Sequence, residues 1–367
     1  MEPYKPKNLP LECIDWAAHV TLIGQANAAL ARYDGMLQSI VNPSVLLSPL
    51  TTREAVLSSR IEGTQANMEE VLRYEADSRE PMETSRIADI MEIINYRTAM
   101  NHAVDSLKTR PCCLNLMKEL HAILLDSVRG RDKARGEFRR TQNYIGRPGD
   151  PIEKASFIPP VWEDVEPSMS AWEKYLHIDE KDRLVQLAVA KAQFELIHPF
   201  LDGNGRLGRM LVPLFLFEKG ILSSPMFYMS EYLEKYQEVY YARLQALSLE
   251  NDWNGWIAFF LKGLMEQAVA NTVKTRKILD LYERMKQKIP EVVRSQYVIQ
   301  AIDALFDHPI FHSGDFISRS KVPRDSALRI LKDLKKNGFI RDIRPASGRQ
   351  AAIVMFHELI NIVEENA

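Results

Sequence analysis

The stretch from His198 to Arg209, HPFLDGNGRLGR, gathers a histidine, an acid, an amide, several glycines and two arginines into twelve residues. Pro199 cannot continue a helical hydrogen-bond ladder, so a packed helix ends near His198 and Phe200 and Leu201 anchor the turn that follows. Gly203 and Gly205 let the backbone pass close to a ligand, because no Cβ stands in the way. Asn204 and Gly205 fall where the next helix begins. Its free N–H groups and positive dipole end form an anion site. Arg206 and Arg209 lie three apart, on one face of that helix. Asp202 is the one hard carboxylate of the loop, suited to holding Mg²⁺ against phosphate oxygens. The set reads as a polyphosphate cradle with a histidine at its lip. The plain alternative, a capped helix–loop–helix with surface arginines, does not need this combination.

The elements that must position these residues are mostly helical. Helical spacing of apolar residues runs through 10–32, 87–107, 114–128, 161–177, 204–219, 229–247 and from 253 towards 288. The run 184–197 is apolar on most faces, the mark of a helix buried in a core. Residues 136–160, GEFRRTQNYIGRPGDPIEKASFIPP, break the pattern with glycines, prolines and two β-prone pieces, and predict a β-hairpin flap. After Pro290 the order becomes helix, helix, helix and then two strands around Ser347 and Gly348, which is the order of a winged helix-turn-helix. Residues 319–349 hold ten Lys or Arg against three Asp or Glu, a basic patch able to meet DNA or to serve protein contacts.

That patch is invisible in the whole chain, where 47 basic residues against 49 acidic give a net charge of −2. The 367 residues, 46% of them hydrophobic, suffice for two or three domains. Three cysteines, Cys13, Cys112 and Cys113, exclude a disulfide framework and a cysteine-based zinc module. Cys112 and Cys113 read as buried small hydrophobes in a reducing compartment. His308 and His312, with Pro309 between them and no acid to complete a site, read as structural. No run of about 18 apolar residues exists to span a membrane, and the N-terminus MEPYKPKNLPLE carries charges and prolines where a secretory signal needs an apolar stretch. The expectation is a cytoplasmic protein with no membrane partner.

HPFLDGNGRLGR matches every fixed position of HPFx(D/E)GNGRxxR, and on it the chain resembles the Fic (filamentation induced by cAMP) family over roughly residues 50–290. The resemblance implies an all-α Fic-type helical core with a β-hairpin flap, followed here by a small C-terminal winged-helix domain. The expected organisation is an N-terminal helical region over 1–90, a catalytic domain over 91–289 and a winged helix-turn-helix over 290–367. The implied activity is transfer of AMP from ATP to a Ser, Thr or Tyr hydroxyl of a target protein, or of the chain itself, with release of pyrophosphate. By resemblance, His198 is the general base and Asp202 the Mg²⁺ ligand. Asn204 with the Gly203 and Gly205 backbone holds the α-phosphate, and Arg206 and Arg209 hold the β- and γ-phosphates, with Leu207 and Gly208 completing the phosphate-binding stretch. Tyr240 and Tyr241 resemble paired tyrosines that flank adenine, although two aromatics on one helix also suit a core. Phe157 and Ile158 of the flap would position the target side chain or merely pack. A histidine at a helix C-terminus is biased towards its charged form, while nearby arginines oppose that bias.

A second stretch supports the match. In 51–63, TTREAVLSSRIEG, Thr51 and Glu54 fit a capping box and Gly63 a helix stop. Glu62 then sits in the last turn, against the helix dipole, with Ser58 on the same face. Ser58 to Gly63 resembles the family's inhibitory motif (S/T)xxxE(G/N), which implies that Glu62 pairs with Arg209 in the place of the γ-phosphate. Other readings remain: relatives that transfer other phosphate-containing groups or remove AMP, and a nucleotide-sensing regulator that binds DNA through Lys332, Lys335 and Lys336. Family resemblance also allows a homodimer.

Overall fold

In the computed structural model, the helix Arg183–Ile197 stands at the centre of the protein, and every residue from Leu184 to Ile197 is buried. Asp182 starts it by accepting from the backbone N–H groups of Leu184 and Val185, both at 2.9 Å. Two of its buried amides tie it to neighbouring segments: Gln186 Nε2 donates to Tyr175 O at 2.7 Å and Gln193 Nε2 to Lys7 O at 2.9 Å. The structure describes residues 2–126, 133–146, 149, 151–348 and 350–365.

In chain order the helices are α1 (Trp16–Ser39), α2 (Pro43–Leu46), α3 (Ser48–Ile61), α4 (Met68–Ala76), α5 (Thr84–Leu107), α6 (Leu114–Leu124), α7 (Val165–His177), α8 (Arg183–Ile197), α9 (Asn204–Glu218), α10 (Ser230–Lys235), α11 (Gln237–Glu250) and α12 (Trp253–Val292). Around α8 pack α7, α9, α11 and α12, while α1 lies along α12 and α5 bridges α3, α6 and α9. The C-terminal part follows as α13 (Val298–Asp307), β1 (Ile310–His312), α14 (Ser313–Ser320), α15 (Arg324–Lys336), β2 (Arg341–Arg344), β3 (Ile353–Met355) and α16 (His357–Glu364). Its strands form one antiparallel sheet in the order β1-β3-β2, with Ile310 opposite Met355 and Arg341 opposite the same residue on the other side.

Several local expectations are corrected. The helix expected over 51–63 begins at Ser48, with Pro49 in its first turn and Leu47 at the N-cap; proline suits that place because its missing N–H would have no partner there. Thr51 and Glu54 therefore form no capping box. They lie inside α3, where Thr51 meets the Tyr228 hydroxyl at 3.2 Å and buried Glu54 accepts from Ser230 Oγ at 2.7 Å and Ser230 N at 3.0 Å. The hairpin expected over 136–160 is reduced to one bridge, Ile145 to Phe157, and a 3-10 turn at Ile152–Lys154. Pro151, Pro159 and Pro160 have no N–H to give to a ladder; residues 147, 148 and 150 of this segment lie outside the described ones, as do 127 and 128 at the end of the helix expected over 114–128. The run 229–247 breaks into α10 and α11 at Tyr236. Cys112 is buried, whereas Cys113 is only half-buried. His308 pairs with Asp307 at 2.7 Å, and His312 caps α14 by accepting from Gly314 N and Asp315 N.

The C-terminal part does not stand apart. β1 packs against α4, α13 against α2 and α3, and α16 against α3 and α12. Arg344 closes the junction by pairing with Asp77 at 2.7 Å and Glu80 at 3.6 Å. Among the described residues, no helix is long and apolar enough to cross a membrane.

Candidate active site

α8 ends at His198, which adopts a left-handed conformation (φ 49°) and donates its backbone N–H to Phe194 O at 3.0 Å. This turn throws the chain outward into residues 199–203, and Gly203, also left-handed (φ 77°), opens α9. A Cβ on Gly203 would press on Leu124 Cδ2 at 3.2 Å. The loop is stapled from within by Asn204, whose Oδ1 accepts from Phe200 N at 2.9 Å and whose Nδ2 donates to Phe200 O at 2.8 Å. The side chain of Asn204 thus shapes the loop from the start of α9. His198 is partly buried, with its Nδ1 3.4 Å from Glu195 O. Burial pushes its pKa below the ordinary histidine value, against the opposing pull of Glu195. Burial is the largest cause of the shift, ahead of the pull of Glu195 and Glu62 and the push of Arg139.

The two arginines diverge. Arg209, 2% exposed, donates through Nε to Ser58 Oγ at 2.8 Å and through Nη2 to Ser58 O at 2.9 Å and to Glu62 Oε1 at 2.6 Å. Burial alone would raise the Glu62 pKa, but the Arg209 guanidinium outweighs it and holds the carboxyl below its ordinary value. Glu62 is the C-cap of α3, and Gly63 (φ 98°) turns the chain away. A Cβ on Gly205 would collide with Glu62 Oε1, so glycine here is what lets the carboxylate lie over the start of α9. Arg206 turns the other way, to Glu92 Oε2 at 2.9 Å and Asp202 Oδ1 at 3.4 Å. Asp202 keeps nearly half its side chain exposed and takes the Gly203 N–H at 2.6 Å. Among the described residues no three acidic, histidine or cysteine side chains cluster as a metal cage. One exposed carboxylate beside a phosphate site is the arrangement Mg²⁺ uses when substrate oxygens complete its shell.

A cavity of about 790 Å³ opens over this loop. His198, Gly205, Arg209 and Glu62 form one end, α11 contributes Tyr240, Tyr241, Gln245 and Ser248, and the flap contributes Tyr144, Ile145 and Phe157. Tyr241 is half exposed, while Tyr240 is buried with its hydroxyl 3.0 Å from Lys191 Nζ and 3.3 Å from Glu195 Oε1. Lys191, itself buried, also reaches Glu195 Oε1 at 3.0 Å. Ile158 is not at the cavity. It is 5% exposed, and its carbonyl accepts the Tyr4 N–H at 2.9 Å, so its expected contact with a target is replaced by packing; the alternation of the extended arm sends Phe157 in and Ile158 away.

Two residues that the sequence reading passed over fix the loop. Arg139 is 1% exposed and faces main-chain carbonyls: His198 O at 2.9 Å, Pro160 O at 2.6 Å, Thr141 O at 3.3 Å and Ile197 O at 3.4 Å. Burial brings its pKa down to about 10. His121 stacks on Phe200 with ring centres 3.9 Å apart, accepts the Gly136 N–H on Nδ1 at 2.8 Å and lies with Nε2 3.1 Å from Asp202 O. An accepting Nδ1 requires the proton on Nε2, and burial lowers the His121 pKa to about 4, which keeps the ring neutral. Neither residue carries a local motif, because the motif loop that each holds is distant in sequence, His198 being 59 residues from Arg139 and Asp202 81 residues from His121.

Comparison with known proteins extends these observations. The Fic/DOC family N-terminal model matches residues 20–105 and the Fic/DOC family model residues 111–216. The chain is 27% identical over 290 residues to the protein adenylyltransferase Fic of Drosophila grimshawi, covering 76% of this chain and 50% of that protein. It is 28% identical over 247 residues to the protein of the same name from Drosophila mojavensis, covering 64% and 43%. The chain thus spans about half the length, or less, of these curated relatives. A crystal structure of a Fic family protein from Desulfovibrio desulfuricans G20 superposes with a TM-score of 0.59 at 18% identity, covering 96% of this chain and 99% of that one, which shows a shared fold.

Proposed function

The chain belongs to the Fic/DOC family, whose two models together match just over half of it, and from that premise we propose that it is a protein adenylyltransferase held in check by its own Glu62. The observation that carries this reading is the meeting of His198, Arg209 and the N-terminus of α9 at one end of a single cavity, with Glu62 seated on Arg209. ATP occupies the cavity, its base towards Tyr241 and its triphosphate across the start of α9, where unpaired backbone N–H groups stabilise negative charge. A target Ser, Thr or Tyr hydroxyl enters between the flap and His198. His198 Nε2 takes the hydroxyl proton, the oxygen bonds to the α-phosphorus, and the bond from that phosphorus to the bridging oxygen breaks, releasing pyrophosphate. A base must be neutral to accept a proton, and the burial that depresses the His198 pKa supplies that state near pH 7. Asp202 would hold Mg²⁺, which when bound neutralises charge on the phosphates.

Arg209 binds the terminal phosphate once Glu62 leaves, because a carboxylate and a phosphate compete for the same guanidinium. Arg206, already engaged by Glu92, supports the loop through Asp202 in this inhibited arrangement. The names of the Drosophila relatives and the intact HPFLDGNGRLGR motif favour an adenylyl donor. The test is intact mass after incubation with Mg²⁺ and ATP. Glu62→Gly is expected to gain the mass of AMP, by modifying itself or an added target, and Glu62→Gly/His198→Ala to gain none. Equal incorporation in both, or tighter binding of UTP, GTP or CDP-choline than of ATP, overturns the proposal.

A further inference from the structure

The basic segment 319–349 is unused by the chemistry above, and the structure sorts its ten cations. Arg344 is consumed by Asp77 and Glu80, Lys335 by Asp342 at 2.6 Å, and Arg319 approaches Asp307 at 3.9 Å; Arg349 lies outside the described residues. Lys321, Arg324, Arg329, Lys332, Lys336 and Arg341 are exposed and make no ion pair among the described residues. On nearby α12, Lys277, Arg284 and Lys286 pair with glutamates, while Arg276 and Lys288 are exposed and make no ion pair among the described residues. At 100° per residue, Arg324, Leu328, Arg329, Lys332 and Lys336 fall within one sector of about 140° on α15. The opposite side, Ala327, Ile330, Leu331 and Leu334, is buried. Leu328 is 41% exposed in the middle of the cations.

We propose that the C-terminal part is a winged helix-turn-helix that binds duplex DNA with the exposed face of α15 in the major groove. A 13-residue helix is about 20 Å long and fits a groove about 12 Å wide. α14 ends in left-handed Lys321 (φ 56°), and three residues later α15 begins, the tight turn that sets the second helix of such a pair across the first. Exposed Asp325 falls in the same sector, so one acid stands against these six cations; the excess positive charge repels itself in the free protein, and a phosphate backbone relieves that repulsion. Leu328 supplies an apolar surface for a thymine methyl group. An acidic protein surface would satisfy the charges but gives no reason for an exposed leucine among them.

The experiment is fluorescence anisotropy of a labelled duplex of about 24 base pairs with the full chain. With six phosphates neutralised, the log–log dependence of affinity on salt has a slope of about −5, and affinity falls about 1,000-fold between 50 and 200 mM salt. Arg329→Glu/Lys332→Glu/Lys336→Glu is expected to weaken binding at least 30-fold at low salt and to flatten the slope by about 3, since each lost contact removes about 0.9. Lys5→Glu/Lys174→Glu/Lys288→Glu, the same charge change at exposed sites off this face, is expected to bind within a few fold of wild type. Equal loss in both triple variants overturns the proposal. So does binding of duplex RNA as tight as that of DNA, because its major groove does not admit a helix, or equal binding of polyglutamate.

Discussion

Replacing Glu62 with glycine removes the carboxylate from Arg209 without disturbing the arginine, because Ser58 Oγ and Ser58 O still hold its Nε and Nη2. The magnitude lies between two limits. An exposed ion pair is worth about 0–1 kcal/mol, and breaking a fully buried one costs about 3–5 kcal/mol. Here the arginine is 2% exposed but the glutamate side chain keeps 36% of its exposure at the cavity edge. The interaction is therefore discounted to that of a charge-assisted hydrogen bond, about 1.5–3 kcal/mol, or 10- to 100-fold in a dissociation constant. Isothermal titration calorimetry of His198→Ala, with and without Glu62→Gly, measures it without turnover. ATP should bind 10- to 100-fold more tightly in the double variant, whereas AMP, which has no terminal phosphate to compete, should change less than threefold. Glu62→Gln should fall between. An ATP affinity unchanged by Glu62→Gly, or an equal gain for AMP, refutes the reasoning that the carboxylate stands where the distal phosphate binds.

Other expectations follow from groups described above. Because burial lowers the His198 pKa, the base stays neutral as the pH falls, and self-modification by Glu62→Gly should hold steady from pH 8 to 6.5 and decline only below; a midpoint above 6.5 counts against it. Arg139→Met removes the donor from two buried carbonyls, Pro160 O and Ile197 O, and from two part-buried ones; at about 1–3 kcal/mol for an unsatisfied buried group, urea unfolding should show a loss of about 2 kcal/mol or more, and Arg139→Lys should restore only part. Buried Glu54 has its pKa raised to about 7. A raised pKa means that its favourable contribution is complete below about pH 4.5 and is lost as the pH rises through about 7. Relative to Glu54→Gln, wild type should therefore lose about 3 kcal/mol between pH 4 and pH 8, and parallel stability profiles would contradict that.

Much of the site was legible because it is contiguous. His198, Asp202, Gly203, Gly205 and Arg209 lie within twelve residues of chain, and a motif that short brings His198, Gly205 and Arg209 to one cavity without help from distant segments. The end of α3 was legible for the same reason, since Glu62 and Gly63 are neighbours. Its start was misplaced because a Thr and a Glu three apart satisfy the capping pattern anywhere in a helix, and only burial shows Glu54 to be interior. That the Asn204 side chain holds the main chain of Phe200 was not legible, because those bonds exist only once the loop has folded. His121 and Arg139 were hidden for a deeper reason: their roles exist only after distant segments have packed. β1 is too short for alternation to register, and it exists through its pairing with β3, more than forty residues later.

The anchoring of the flap has a mechanical consequence. Its roots are bound to the motif loop and to the start of the chain: Arg139 N reaches Pro199 O, Asn143 Nδ2 reaches Phe200 O, Gln142 Nε2 reaches Pro159 O, and Tyr4 N reaches Ile158 O. Beyond them, among the described residues, the bridge Ile145 to Phe157 joins the two arms. The roots are thus fixed to the loop that follows His198, and Tyr144, Ile145 and Phe157 line the cavity opposite α11. The roots cannot tilt like a hinged lid without dragging on the carbonyl of His198. In the proposed reaction, the width left between flap and α11 would then gauge the target chain, and the same anchored piece would align the reacting hydroxyl.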